Sequence, residues 1–357
     1  MKILLIRLRL IGDVVFTTPM LRALRRTFPE AHLSYLVEPP AAPVVAGNPH
    51  LDQVIVAPQA TGLARIVADL RLARRLRRQR YDLVIDLHGG PRSGWLTWLS
   101  GAPERIGYEI TGRTWMYTKA VPRPRALRAR HSVRNQWDLL EAIEAWPSSE
   151  PDRSSDAVEM AVDPRADQRI QQRLDEVGIT PAHELVIIHV SAGNPFRRWP
   201  EPAFTQVVAG LAGESAERRV ILSSGPSDRA AAGRILDESR RILGAAGCRV
   251  VDFGEFDLAE LRALIGRSRL FIGGDSGPLH IAATTATPIV GIYGPTEPAR
   301  SAPWRDPRVR TEAVEVAGLP CRPCDQRVCE PGDFRCLTTL KPEDVLSAAM
   351  RAMNAHA

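Results

Sequence analysis

Apolar positions recur along the chain in two ways: as short continuous runs, and as longer stretches with the three-to-four spacing of one helix face. Residues 3–7 form the first run and read as a buried strand. Residues 13–27 follow with Val14, Leu21 and Leu24 on one face, the pattern of a helix. Residues 32–37 and 53–57 read as further strands, 63–79 as an arginine-rich helix, and 82–87 as another buried strand ending at His88-Gly89-Gly90. A helix over 131–145 closes this half.

Residues 147–156 are rich in Pro, Ser and Asp, the composition of a turn or linker, and mark the boundary region. The alternation then resumes. Strands are expected over 185–190, 220–223, 250–253, 270–273 and 289–293, with helices between them that include 200–212 and 258–265. A final helix over 342–353 opens on Pro342 with acids behind it, which suits a helix N-terminus. Strand–helix alternation in two blocks implies an α/β protein with two doubly wound parallel sheets. Such sheets bind ligands beyond the carboxyl ends of their strands, and two facing domains leave a cleft. The length of 357 residues also suits two domains, at about 150 residues each.

Composition adds limits. Apolar residues are 44% of the chain and charged residues 25%, enough apolar sequence for two cores. The net charge of +6, from 47 Lys and Arg against 41 Asp and Glu, favours an anionic partner. It does not choose among a nucleotide, nucleic acid, a phosphorylated glycolipid or a membrane surface. No uncharged apolar run reaches the roughly 18 residues needed to span a bilayer. Residues 1–16 have the outline of a signal peptide. Arg7, Arg9 and Asp13 interrupt its apolar run and no small-residue cleavage site follows, so it reads as a first strand. A cytoplasmic location is expected, where disulfides are not the default for the 5 cysteines.

Six stretches carry candidate chemistry. In Leu8-Arg9-Leu10-Ile11-Gly12-Asp13, Gly12 permits a tight turn and Asp13 opens a helix. Asp13 is either an N-cap or a general base facing the cleft. In Phe196-Arg197-Arg198-Trp199-Pro200, two guanidiniums follow the small-residue loop Ser191-Ala192-Gly193-Asn194. They suit a diphosphate, or else flank a core Trp. In Gly273-Gly274-Asp275-Ser276-Gly277-Pro278-Leu279-His280 a strand leads into a helix. Its N–H groups and the Ser276 hydroxyl can meet a phosphate, with Gly277 allowing close approach. The alternative is a capped helix with His280 in the core. Tyr293-Gly294-Pro295-Thr296 turns off the next strand and is placed to wall the same pocket. Neither half carries a G-x-G-x-x-G turn or a Walker motif.

Cys321-x2-Cys324-x4-Cys329-x6-Cys336 offers four thiols to zinc or iron as a structural metal. Reduced, unligated thiols are the competing reading, with Arg322, Arg327 and Arg335 making a basic wall. Last, the first half is rich in arginine: Arg65, Arg71, Arg74, Arg75, Arg77, Arg78 and Arg80, then Arg92, Arg105, Arg123, Arg125, Arg128 and Arg130. Such runs are usually a solvated face. Here few acids offset them, and an anionic acceptor or an anionic leaflet fits.

Taken together, these motifs resemble glycosyltransferase family nine, the ADP-heptose:lipopolysaccharide heptosyltransferases, over nearly the whole chain. The resemblance rests on Gly12-Asp13 with Thr18-Pro19, on Arg197-Arg198-Trp199-Pro200, on Asp275 through Ala283, on Tyr293-Gly294-Pro295-Thr296, and on the late cysteines followed by a helix. It implies a GT-B fold of two Rossmann-like domains around a cleft. The acceptor domain would be 1–160 and the nucleotide-sugar domain 161–340, with 341–357 a helix returning toward the N-terminal domain. Asp13 matches the family's catalytic base, and the Asp275–His280 loop its donor loop. Asp228 stands where members often carry a Glu that holds the ribose, and Arg197 where they usually carry Lys. The donor set implied is Ser191, Gly193, Arg197, Arg198, Asp228, Asp275, Ser276, Gly277, His280 and Thr296. No cofactor is required on this reading. The partners are an ADP-sugar and an anionic glycolipid at the cytoplasmic face of the inner membrane, touched peripherally, with no nucleic acid. The readings outside this class are a nucleotide-sugar epimerase, a non-catalytic nucleotide-sugar-binding protein and a metal-binding regulator.

Overall fold

The computed structural model describes residues 1–123, 130–144, 146–147, 149–324 and 326–354. The chain forms two units, Met1–Ala161 and Val162–Ala357.

The first unit holds a sheet of β1 (Lys2–Ile6), β2 (His32–Val37), β3 (Gln53–Val56), β4 (Leu83–Asp86), β5 (Glu104–Tyr108) and β6 (Lys119–Val121). All pairings are parallel and the order is β3-β2-β1-β4-β5-β6. The central run Ile3, Leu4, Leu5, Ile6 is buried on both faces, as a parallel strand covered by helices on each side must be.

The second unit repeats this winding. Its strands are β7 (Glu184–His189), β8 (Arg218–Ser223), β9 (Val250–Asp252), β10 (Leu270–Gly274), β11 (Ile289–Tyr293) and β12 (Thr311–Glu315). Their order is β12-β11-β10-β7-β8-β9, again all parallel. In each sheet the chain starts at the centre, moves outward for three strands, then returns to build the other side. Order therefore reverses between β1 and β4, and between β7 and β10. Ligands of doubly wound sheets bind at such crevices.

Several expected elements are redrawn. The single helix over 13–27 is two, Ile11–Val15 and Thr18–Thr27. Pro19 has no N–H to give the Val15 carbonyl, and the Thr18 hydroxyl takes that acceptor instead at 2.8 Å. Strands β5, β6 and β12 carry too few consecutive apolar residues to stand out in the sequence. The last residue of the expected helix over 131–145, and Arg125 and Arg128 of the basic series, lie outside the described residues.

The stretch expected as a linker is strapped to the first unit. Asp156 is buried and pairs with Arg26 at 3.0 Å. Just beyond it, Glu159 pairs with Arg22 and accepts from the Asn48 amide at 2.9 Å. The last helix, Pro342–Asn354, buries Val345, Ala348, Ala349, Ala352 and Met353 in the second unit's core with Phe204, Val207 and Leu211. Its face of small residues lets it lie closely on the helix Glu201–Glu214, and Arg269 donates to the Met353 carbonyl at 2.8 Å.

Candidate functional site

At the order reversal of the first sheet, β1 runs into Arg7 and the loop that ends at Asp13. Leu10 precedes the short helix with φ of 70° and its side chain exposed. A non-glycine residue there costs on the order of 1–3 kcal/mol and persists only where the surroundings impose it. Asp13 is not the N-cap, which is Leu10; it lies in the first turn. There the Arg7 guanidinium donates to Asp13 Oδ2 and, through Nη1, to the Leu87 carbonyl at 2.6 Å. Arg7 thus ties the end of β4 to the loop after β1. The Asp13 side chain remains 30% exposed, so its carboxylate is both anchored and accessible.

Beside it, Asp86 ends β4 fully buried. It accepts from Tyr117 Oη (2.6 Å), Ser93 Oγ (3.0 Å) and the backbone N–H groups of Gly89 and His88 (2.9 and 3.0 Å). Burial pushes its carboxyl above the usual range against these four donors. The network shapes the turn His88-Gly89-Gly90, where Gly89 has φ of 63° and a side chain on Gly90 would meet the His88 ring at 2.5 Å. His88 is held near pKa 4 by burial, with the Arg7 and Arg9 charges adding to the shift.

The order reversal of the second sheet is more crowded, and its polar groups fall into two clusters. In one, Asp228 accepts from Ser191 Oγ and from Ser227 Oγ at 3.1 Å, and pairs with Arg198 Nη2 at 3.0 Å. Arg198 also donates through Nε to the Ala192 carbonyl at 3.1 Å. In the other, Asp275 is 2% exposed and pairs with Arg197 Nη1 at 3.2 Å, accepts from Thr296 Oγ1 at 2.6 Å, and lies 3.4 Å from His280 Nε2. Burial raises the Asp275 carboxyl, but His280, Arg197 and Thr296 together bring it below its ordinary value. Arg197 further donates to the Asp275 carbonyl at 2.9 Å and, through Nε, to Gln326 Oε1 at 2.7 Å.

The two arginines are therefore not a matched pair. Each is fixed on its own acid, and each stays partly exposed, at 30% for Arg197 and 38% for Arg198. A guanidinium has five N–H donors in a fixed fork, so an arginine anchored through some of them presents the others in a set direction. Gly193 faces open space, with nothing within 4 Å of where a Cβ would sit. Ser276 stands at the N-cap position of the helix Gly277–Ala282, but its hydroxyl donates back to the Gly274 carbonyl at 3.3 Å and leaves the first-turn N–H groups uncapped by it. With six residues that helix is short, so its N–H groups matter here more than its dipole. His189, at the end of β7, pairs Nδ1 with Ser223 Oγ at 2.9 Å and is held near pKa 4 by burial.

Cys321, Cys324, Cys329 and Cys336 line one cavity of about 520 Å³ with Phe196, Arg327 and Phe334. All are free thiols, and burial raises the pKa of Cys336. Among the described residues no three His, Cys, Asp or Glu side chains are grouped to hold a metal ion. Of the basic series, Arg92 is spent on Asp69 and Glu38, Arg105 on the Ala102 and Met116 carbonyls, and Arg130 on Asp138.

The family model described as glycosyltransferase family 9 (heptosyltransferase) matches residues 69–333. The chain belongs to that family. Among glycosyltransferase family 9 relatives, a lipopolysaccharide heptosyltransferase 3 of Escherichia coli is 27% identical over 333 residues, covering 90% of this chain and 91% of its own. A family 9 glycosyltransferase from Veillonella parvula superposes with a TM-score of 0.83 at 23% identity, covering 99% of this chain and 97% of its own. An E. coli ADP-heptose lipopolysaccharide heptosyltransferase II superposes at 0.77 and 19% identity, covering 100% and 99%. The family 9 fold thus accounts for both sheets. The residues that the sequence did not single out are Arg7, Asp86, His88, Ser93, Tyr117 and Gln326. The signal available for two of them was a charged residue closing an apolar strand run, at Arg7 and at Asp86.

Proposed function

We propose that this glycosyltransferase moves a heptose from ADP-heptose to an inner-core lipopolysaccharide acceptor, with inversion at the anomeric carbon. Membership of family 9 carries the reading. The anchored but accessible Asp13 carboxylate gives it a base. The acceptor oxygen attacks the anomeric carbon, its proton passes to Asp13, and the bond to the β-phosphate oxygen breaks. One displacement needs one base and no covalent sugar–enzyme intermediate. Arg7 is the positioning residue: it holds Oδ2 so that the other oxygen is aimed.

The departing ADP gains negative charge. Arg197, Arg198 and the N–H groups of Ser276 and Gly277 would stabilise it, with Ser191, Gly193, His280 and Thr296 shaping the loop. Asp275 and Asp228 act by holding the two arginines, and Asp228 Oδ1, which meets Arg198, keeps an acceptor site for a ribose hydroxyl. The donor domain on this reading is the second unit and the acceptor domain the first. The reaction calls for no cofactor beyond these groups. Zinc or iron at Cys321, Cys324, Cys329 and Cys336 would be structural, and metal analysis of the purified protein tests it. Among the described residues no helix is long and apolar enough to cross a membrane. A cytoplasmic enzyme meeting a glycolipid at the inner leaflet is the location this reading entails.

The test is binding of ADP, UDP and GDP, by calorimetry or thermal shift. A nucleotide at 100 times its Kd adds about 2.7 kcal/mol of stability. Selective ADP binding, lost in Arg197→Ala, is expected. A preference for UDP or GDP would overturn the heptose donor.

A further inference from the structure

The cysteine segment reaches the loops around Arg197 and Asp275 from several positions. Gln326, between Cys324 and Cys329, accepts through Oε1 from Arg197 Nε at 2.7 Å and from Asn194 Nδ2 at 2.9 Å. Arg322 donates through Nη2 to the Thr296 carbonyl at 2.5 Å, and the Cys324 N–H donates to the Pro295 carbonyl at 3.3 Å. Phe334 meets Phe196 edge to face, with ring centroids 5.3 Å apart. The segment therefore touches both the loop that carries Arg197 and the turn Tyr293-Gly294-Pro295-Thr296, whose Thr296 hydroxyl holds Asp275. Gln326 takes φ of 59°, and a non-glycine residue stays there only where its surroundings impose it.

What Gln326 does follows from the donors of Arg197. A guanidinium has one N–H on Nε and two on each terminal nitrogen. Nη1 is engaged by Asp275: it donates to the Asp275 carbonyl at 2.9 Å and lies 3.2 Å from Oδ2. Both contacts meet one nitrogen, so by themselves they leave the planar group able to swing about it. The Nε bond to Gln326 is a second fixed point in the plane, and two points set the direction of the third nitrogen. Among the described residues Nη2 has no hydrogen-bond partner, and the side chain is 30% exposed. Nη2 is thus the part of Arg197 left for a ligand. Nε can only donate, so the Gln326 atom that faces it is the carbonyl oxygen. Both lone pairs of that oxygen are used, by Arg197 and by Asn194.

We infer that Gln326 is a positioning residue for the donor diphosphate: it locks the Arg197 guanidinium so that Nη2 presents its two N–H groups to a phosphate. The inference rests on the reading that Arg197 meets the diphosphate, and adds which nitrogen does so and what aims it. A guanidinium held in place beforehand loses less freedom on binding than one that must first be ordered. The cysteine-bearing segment is then a wall of the donor site in its own right.

Calorimetric titration of the full chain with ADP and with adenosine tests it, in the wild type, Gln326→Leu, Arg197→Lys and the two changes together. Gln326→Leu keeps the bulk and removes the acceptor. The Kd for ADP should rise about tenfold, the worth of one hydrogen bond to a charged group, with adenosine affinity unchanged. Lysine carries carbon where arginine has Nε, so the bond is already gone in Arg197→Lys, and adding Gln326→Leu to it should cost nothing further. Unchanged thermal midpoints show that the variants fold. An equal ADP loss from Gln326→Leu in both backgrounds, or an equal loss of ADP and adenosine, makes Gln326 a structural residue and overturns the proposal. So does wild-type ADP affinity in Gln326→Leu while Arg197→Ala binds weakly; the donor reading then stands alone. Full ADP affinity in Arg197→Ala overturns both. If UDP or GDP binds in place of ADP, the heptose donor falls, and the same titrations with that nucleotide decide on Gln326.

Discussion

Where strand order reverses, the first sheet offers one accessible carboxylate held by one arginine, while the second offers two arginines each held by a buried acid. The strand order is the same in both units. The chemistry differs because it sits in the loops after the strands, and a doubly wound sheet leaves those loops free to vary. At Asp13 the arginine serves the acid: Arg7 orients a carboxylate that is 30% exposed. At Asp275 and Asp228 the acids serve the arginines: the carboxylates are 2% and 5% exposed and the guanidiniums reach outward. On the proposed reading, one end receives a proton and the other negative charge.

The sharpest way to break this contrast is Asp13→Asn. It keeps the shape and removes the base, so turnover should fall by about 100- to 10,000-fold while nucleotide affinity stays that of the wild type. Steady-state rates beside calorimetry separate the two; an equal loss of affinity would mean that Asp13 serves the donor. Next in size is Asp275→Asn. It leaves the part-exposed Arg197 charge without its counter-ion, which costs roughly 3 kcal/mol, the low end for a broken buried pair. Denaturant unfolding should show that loss together with weakened nucleotide binding; unaltered stability would remove Asp275 as the anchor.

The smallest effect separates the regions by pH. His189 is held near pKa 4, so the folded chain keeps it neutral while the unfolded chain protonates it below about 6.5. Its contribution is complete above pH 6.5 and is lost as pH falls toward 4, by roughly 3 kcal/mol. The gap between unfolding midpoints at pH 7 and 4.5 should narrow in His189→Gln without closing, because His88 is held near pKa 4 as well; the same pH slope in both proteins would rule His189 out.

The strands that an apolar run defines were legible in the sequence, as β1, β4, β7, β10 and β11 show. Strands such as Lys119–Val121 and Thr311–Glu315 were not, because edge strands form by pairing and need little burial of their own. Candidate site residues stood out in the sequence where a small-residue turn accompanies an apolar run, at Asp13, Arg197 and Asp275. Who holds whom was not. The Arg198–Asp228 pair joins residues 30 positions apart through neighbouring strands, and sequence spacing gives no sign of it. Trp95, Trp98 and Trp115 likewise look like ordinary core residues until the fold leaves them outside.

The position of the last helix bears on how the chain is made. The first unit is complete at Ala161 and can close while the rest is still being translated. The second cannot. Its interior draws on Val345, Ala348, Ala352 and Met353, so the groove beside Phe204 and Leu211 stays uncovered until those residues leave the ribosome. For that interval the apolar lining of that groove faces water, and the nascent second unit is the half more exposed to aggregation.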